Sequence, residues 1–261
     1  MKVTTFIMDE KFENCLLALW VTDMQVKKAI YREPILDEKV TSIIKLACDT
    51  FQQDVQVFFM TVDVVEEYIY RKESHQETIS DPFLIICVII FILSKYYGCG
   101  PDLNITILKT FLLKITGTSY HNLSILKSEQ DVLSVLNYKL PFGTILDEMN
   151  NFFEKFMREY RLQDAVRPLC IEILVLLYCT RTKWFQNIKD LYSEDKNTFK
   201  TLISTKLYVP SAILISAFKV TNYQFILDLN GFVDDISEFT KIHSSHIYAL
   251  SSIILSLMNS V

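Results

Sequence analysis

Glycine and proline are scarce in this chain, five and six of 261 residues. So few turn-formers exclude a loop-rich β protein and a low-complexity disordered chain. No period-two alternation bounded by hairpin turns stands out, and the glycines have no spacing suited to cradling a phosphate. Cationic excess is missing too. The formal net charge is −5 and no run of Lys and Arg occurs, so nothing attracts nucleic acid or an anionic membrane in general. The longest apolar run, Phe83 to Leu93, is bounded by Asp81 and Lys95 and is too short to cross a bilayer. Cys15, Cys48, Cys87, Cys99, Cys170 and Cys179 show no paired or metal-type spacing. They read as reduced thiols of the cytosol or nucleus, most of them small hydrophobes inside helices. The first residues carry Asp9, Glu10 and Glu13 with no basic-then-apolar pattern, so no signal peptide is expected.

What the chain does have is apolar side chains, 50% of its residues, at helical spacing. Val40, Ile43, Ile44, Ala47 and Phe51 fall at i, i+3, i+4, i+7 and i+11, and Ile247, Leu250, Ile253, Ile254 and Leu257 repeat the pattern. Helices are expected at 9–30, 37–51, 54–72, 82–97, 104–116, 121–137, 144–160, 163–180, 184–192, 197–206, 210–220, 222–229, 231–240 and 244–259. Pro82 and Pro210 suit first helical turns, where the missing N–H costs nothing. Gly98, Gly100 and Pro101 break the chain, and Pro141-Phe142-Gly143 breaks it again. The fold class is all-α.

The break at 141–143 suggests a division into an N-terminal helix (1–35), a first helical domain (36–141) and a second (144–261). The second half has its own small-residue apolar helix, Pro210 to Phe218, placed as Pro82 to Ile90 is in the first. Two structural repeats, the second eroded, explain that order.

Little in the chain points to chemistry. His243 and His246 sit three apart, a spacing that can share a face, but no third ligand of suitable spacing completes a metal site. Asp147 with Glu148, and Glu66 with Glu67, are acidic pairs with no partner His or nucleophile. Asp234, Asp235 and Glu238 fit the solvated start of a short helix. The expectation is a binding protein: no enzyme, no cofactor, no metal and no small-molecule substrate.

The most telling segment runs from Asp81 to Leu140. A very apolar helix closes on Ser94-Lys95-Tyr96, and a later one carries Glu129 seven residues before Leu136-Asn137-Tyr138. With Phe58 to Ile69 ahead of it, this order over residues 36–141 resembles a cyclin box. The resemblance implies a five-helix box and a second, divergent cyclin-like repeat. It also implies that Lys95 and Glu129 lie together on a surface that grips a cyclin-dependent kinase, with Tyr96, Tyr97, Phe91 and Ile125 as apolar neighbours. By residue type alone, a solvated ion pair and ordinary core explain these residues equally.

Glu38-Lys39-Val40 through Cys48-Asp49, and Val62 to Glu66, are similar to a meiotic branch of that family. That narrower resemblance implies a role in crossover designation or maturation, in the nucleus, with the cytoplasm as the alternative location. The chain also departs from cell-cycle cyclins. Tyr97-Gly98 follows Ser94-Lys95-Tyr96 where those proteins have two acids, and Asp37 and Ile43 stand where their first helix has an Arg and a Trp lining a docking groove. Their Arg pairs with an acid of the second helix; here that acid is Glu66, with Lys39 as the nearest possible cationic partner. Substrate recruitment through the groove is therefore not expected. The alternative function is an interaction scaffold that kept the fold, lost the kinase, and recruits recombination or clamp-loading factors.

Overall fold

The computed structural model describes residues 32–98, 100–140, 143–160, 166–221 and 228–260. The expected helix at 9–30, most of that at 222–229, and Cys15 and Cys99 fall outside them. Among the described residues there are twelve α-helices and no strand. In order they are α1 (Glu38–Thr50), α2 (Val55–Ser74), α3 (Pro82–Tyr97), α4 (Ile105–Thr116), α5 (Asn122–Val135), α6 (Ile145–Tyr160), α7 (Val166–Cys179), α8 (Arg181–Leu191), α9 (Lys196–Ser204), α10 (Tyr208–Val220), α11 (Leu229–Thr240) and α12 (Ser244–Met258).

The chain forms two compact units. One comprises Glu33–Leu146 with a returning segment, Val175–Phe185. The described part of the other is drawn from Asp147–Leu174 and Gln186–Val261.

In the first unit the helix starts are written in the sequence. Asp37, Asp54, Asp81 and Asn104 cap α1 to α4, each accepting a bond from a backbone N–H of the first turn. Pro82 opens α3 at a position where no N–H is needed. The second oxygen of Asp81 takes the Tyr120 hydroxyl at 2.6 Å, which ties the start of α3 to the segment before α5. Helix α3 is buried without a break from Leu84 to Leu93, and α1, α2, α4 and α5 all pack on it. Each enclosed Leu, Ile or Phe contributes about 1.5–3 kcal/mol of transfer free energy, so α3 is the post around which the unit forms.

The returning segment is tied to α1 and α2. The Tyr178 ring lies 4.7 Å from that of Phe59, and its hydroxyl donates to Asp63 at 3.1 Å. The Thr41 hydroxyl donates to the Cys179 carbonyl at 3.0 Å, and Lys183 pairs with Glu38 at 2.7 Å.

The second unit is built on the same plan. Helix α10 is buried at Tyr208 and from Pro210 through Phe218, and α11 and α12 pack on it. Phe152, Phe156, Phe218 and Phe232 form an aromatic cluster against it, with the Phe156 and Phe232 rings 5.5 Å apart and those of Phe218 and Phe232 5.1 Å apart. His243 caps α12, and the Nδ1 of His246 is 2.5 Å from the Tyr192 hydroxyl. Both histidines are thus used by the fold, and among the described residues no group of three metal-binding side chains gathers around them.

Candidate functional site

Lys95 is on the last turn of α3, where a cation suits the helix dipole. Its Nζ is 2.6 Å from Glu129 Oε1 on α5 and 3.8 Å from the centre of the Phe91 ring. Phe91 is buried, so the lysine stem lies over apolar surface while its charge meets the carboxylate at the rim. The lysine side chain is 42% exposed and that of Glu129 16%. A pair so open to water contributes roughly 0–1 kcal/mol to stability. It does set a fixed polar mark on the surface.

Helix α5 is held in place at Asp131 and Val135. Asp131 accepts from the Tyr68 hydroxyl at 2.7 Å and from Lys72 at 3.1 Å, and Arg71 donates to the Val135 carbonyl at 2.9 Å. Burial, and then the bond to Asp131, push the Tyr68 phenol upward from its ordinary pKa, so it stays a donor.

The end of α3 is fixed by Gly98. A Cβ there would stand 2.6 Å from the Ser94 carbonyl oxygen and 3.0 Å from Gln53 Oε1. That close approach explains why glycine, not an acid, follows Tyr97.

The residues expected beside the pair divide sharply. Tyr96 is 66% exposed and Tyr97 half-buried, their rings 6.5 Å apart. Ile125, by contrast, is wholly enclosed and offers nothing for a partner to touch. It belongs to the inner stripe of α5 with Val132 and Leu136. The apolar area open on α5 comes from Leu123 and Leu126, 72% and 42% exposed. The spacing Leu123, Leu126, Glu129 was a readable second stripe, offset from the Ile125–Val132 stripe.

The expected partner of Glu66 is also corrected. Lys39 does not serve; the cation is Arg181, from the returning segment, at 3.1 Å from Glu66 and 3.5 Å from Asp63. Glu66 Oε1 meanwhile accepts the N–H groups of Ile35 and Leu36 at 3.1 and 3.2 Å. A cleft of about 180 Å³ lies beside α1, α2 and the start of α3, lined by Leu36, Val40, Ile43, Ile69, Phe83 and Ile86 among others. Its walls are aliphatic and aromatic throughout, and Asp37 is spent on the cap of α1.

No protein-family model matches the sequence, and comparison with curated proteins finds no match. Among solved structures, the chain is similar to a viral cyclin from herpesvirus saimiri, with a TM-score of 0.58 at 12% sequence identity. The match covers 93% of this chain and 96% of that one. The protein has the cyclin fold, all-helical among the described residues.

Proposed function

We propose that this chain is a divergent cyclin-like regulatory subunit that binds a cyclin-dependent kinase through the Lys95–Glu129 surface. The observation that carries the reading is the ion pair itself, formed between the last turn of α3 and the middle of α5, with Tyr96, Leu123 and Leu126 exposed on the same two helices. Interfaces of this make-up take most of their affinity from apolar and aromatic anchors, while the charges set orientation and approach. A kinase is active when its αC glutamate pairs with the lysine of strand β3. A partner that binds only that state shifts the kinase toward it by its differential affinity. No residue of this chain then needs to do chemistry.

The finer part of the proposal, promotion of meiotic crossover designation or maturation in the nucleus, is supported by the resemblance carried on Glu38–Asp49 and Val62–Glu66. Copurification from meiotic tissue tests both levels. A kinase in the stable complex supports the first, and recombination proteins alongside it support the second.

The scaffold alternative is favoured by one observation, the glycine forced at position 98, where the resemblance to cell-cycle cyclins implies an acid. A stable complex containing recombination or clamp-loading factors and no kinase would establish it.

A further inference from the structure

Helix α4 is apolar on more of its circumference than the fold covers. Its inward residues Leu108 and Leu112 are enclosed, yet Ile107, Leu113 and Ile115 are 44%, 48% and 47% exposed. A helix apolar all round is ordinarily buried all round, and contiguous apolar surface left open marks a binding site. Between α4 and the end of α1 lies an open groove of about 230 Å³. Its α4 wall is a stripe of Ile107, Thr110, Phe111 and Lys114, at i, i+3, i+4 and i+7; Phe51 and Thr50 form the other side. The Phe51 and Phe111 rings meet edge-on at 4.7 Å and fix the floor. One turn before Thr50, Leu46 is 57% exposed and continues the apolar wall.

Charge narrows the occupant. The chain as a whole is acidic, with 31 Asp and Glu against 26 Lys and Arg, yet no acid occurs from Leu103 through Ser128. Lys114 stands at the groove with no hydrogen-bond or ion-pair partner among the described residues. Asp49, in the last turn of α1, is neutralised by Lys45 at 2.5 Å. The groove is therefore an apolar slot with one uncompensated cation, Lys114, at its rim. A second copy placed by a two-fold axis would present this same patch, which holds no unpaired carboxylate for Lys114, and that disfavours self-association. A concave slot also fits an inserted side chain better than a flat lipid surface.

We propose that the α1/α4 groove docks a helical segment of a partner protein, amphipathic and acidic, with one large apolar anchor seated between Phe51 and Ile107 and a carboxylate facing Lys114. This is the helix-in-groove mode, read through anchors at i, i+3 or i+4, and i+7. It uses none of the Lys95–Glu129 surface and stands whether or not a kinase binds there.

The test is selection of random peptides of about 16 residues on the immobilised full chain. Counter-selection uses the Ile107→Ser/Lys114→Glu variant, which changes only exposed side chains and is checked for an unaltered fold by circular dichroism. The expected winners are net acidic with helical apolar spacing. They bind the variant about tenfold or more weakly and lose affinity with added salt. Binding to Lys95→Ala/Glu129→Ala stays as in wild type, which separates this groove from the kinase surface. A second variant, Thr110→Trp, fills the slot without changing charge and should also abolish binding. The proposal is overturned if no peptide distinguishes wild type from the variants, or if the winners are neutral or basic. It is also overturned if the wild-type chain forms a dimer that Ile107→Ser dissolves, or if phosphatidylserine vesicles, and not peptides, bind in an Ile107-dependent way.

Discussion

Arg181 Nη2 lies 3.1 Å from Glu66 Oε2, joining the first turn of α8 to the middle of α2. The arginine side chain is 18% exposed and that of Glu66 10%, so the pair is largely shielded from water. With Asp63 and the two N–H groups of Ile35 and Leu36, it fastens three separate stretches of chain around α2.

Removing one partner strands the other charge in that setting. Arg181→Ala is expected to destabilise the protein by about 3 kcal/mol, the lower end for breaking a shielded pair, because Asp63 is 42% exposed and can turn to water. Arg181→Lys should recover only part of the loss, since an ammonium cannot span two carboxylates as a guanidinium fork does. Urea midpoints of the three proteins measure this; equal midpoints for wild type and Arg181→Ala would refute it.

The end of α3 gives a second prediction. Gly98→Ala places a methyl 2.6 Å from the Ser94 carbonyl oxygen, a backbone atom that cannot swing aside. The expected cost is about 1–3 kcal/mol, typical of overpacking, read as a lower thermal midpoint. Because Lys95 is on the same turn as Ser94, its pairing with Glu129 should loosen as well.

How much of this was legible in the sequence varies by kind of interaction. The apolar run Phe83–Leu93 and the Asp81-Pro82 start identified α3, because caps and burial act locally and leave local marks. The pairing of Lys95 with Glu129 was legible only through the order of motifs across two helices. Arg181 was not legible: nothing near it in the chain announces that the segment returns to Asp63 and Glu66. Whether Ile125 is a neighbour of the ion pair or core is open in the sequence, because residue type does not say which of two apolar stripes on α5 faces inward; the packing of α5 on α3 leaves it enclosed. The expected end of α5 at 137 also shifts to Val135, since Asn137 and Tyr138 take left-handed conformations, with φ of 52° and 55°. Asn tolerates that region, but a sequence reading would not assign it to a tyrosine.

A pH dependence follows from His246. Burial, and then the neighbouring His243, lower its pKa below the ordinary 6.5, and Asp195 opposes them more weakly. Folding therefore favours the neutral ring, and the unfolded chain binds more protons once the pH drops below about 6.5. Its contribution is complete above that pH and is lost as the pH falls through the lowered folded value. Urea midpoints across that window should fall for wild type and fall less for His246→Gln. An identical slope in both proteins would contradict the assignment.

Cysteine reactivity gives a further check. Burial pushes the Cys48 and Cys87 thiols up to about 12 and raises Cys170 also. Alkylation of the native protein at neutral pH, mapped by mass spectrometry, should leave these three unlabelled until denaturant is added. Rapid labelling of any of them in the folded state would show that its helix opens.

The central claim is that the Lys95–Glu129 surface grips a cyclin-dependent kinase, and calorimetric titration of purified kinases with the intact chain tests it most directly. The account predicts that a kinase binds and gains activity, and that Lys95→Ala/Glu129→Ala weakens binding about tenfold or more with little change in thermal midpoint. A kinase that binds and is activated equally by wild type and the double variant, or the absence of any kinase that binds, would contradict it.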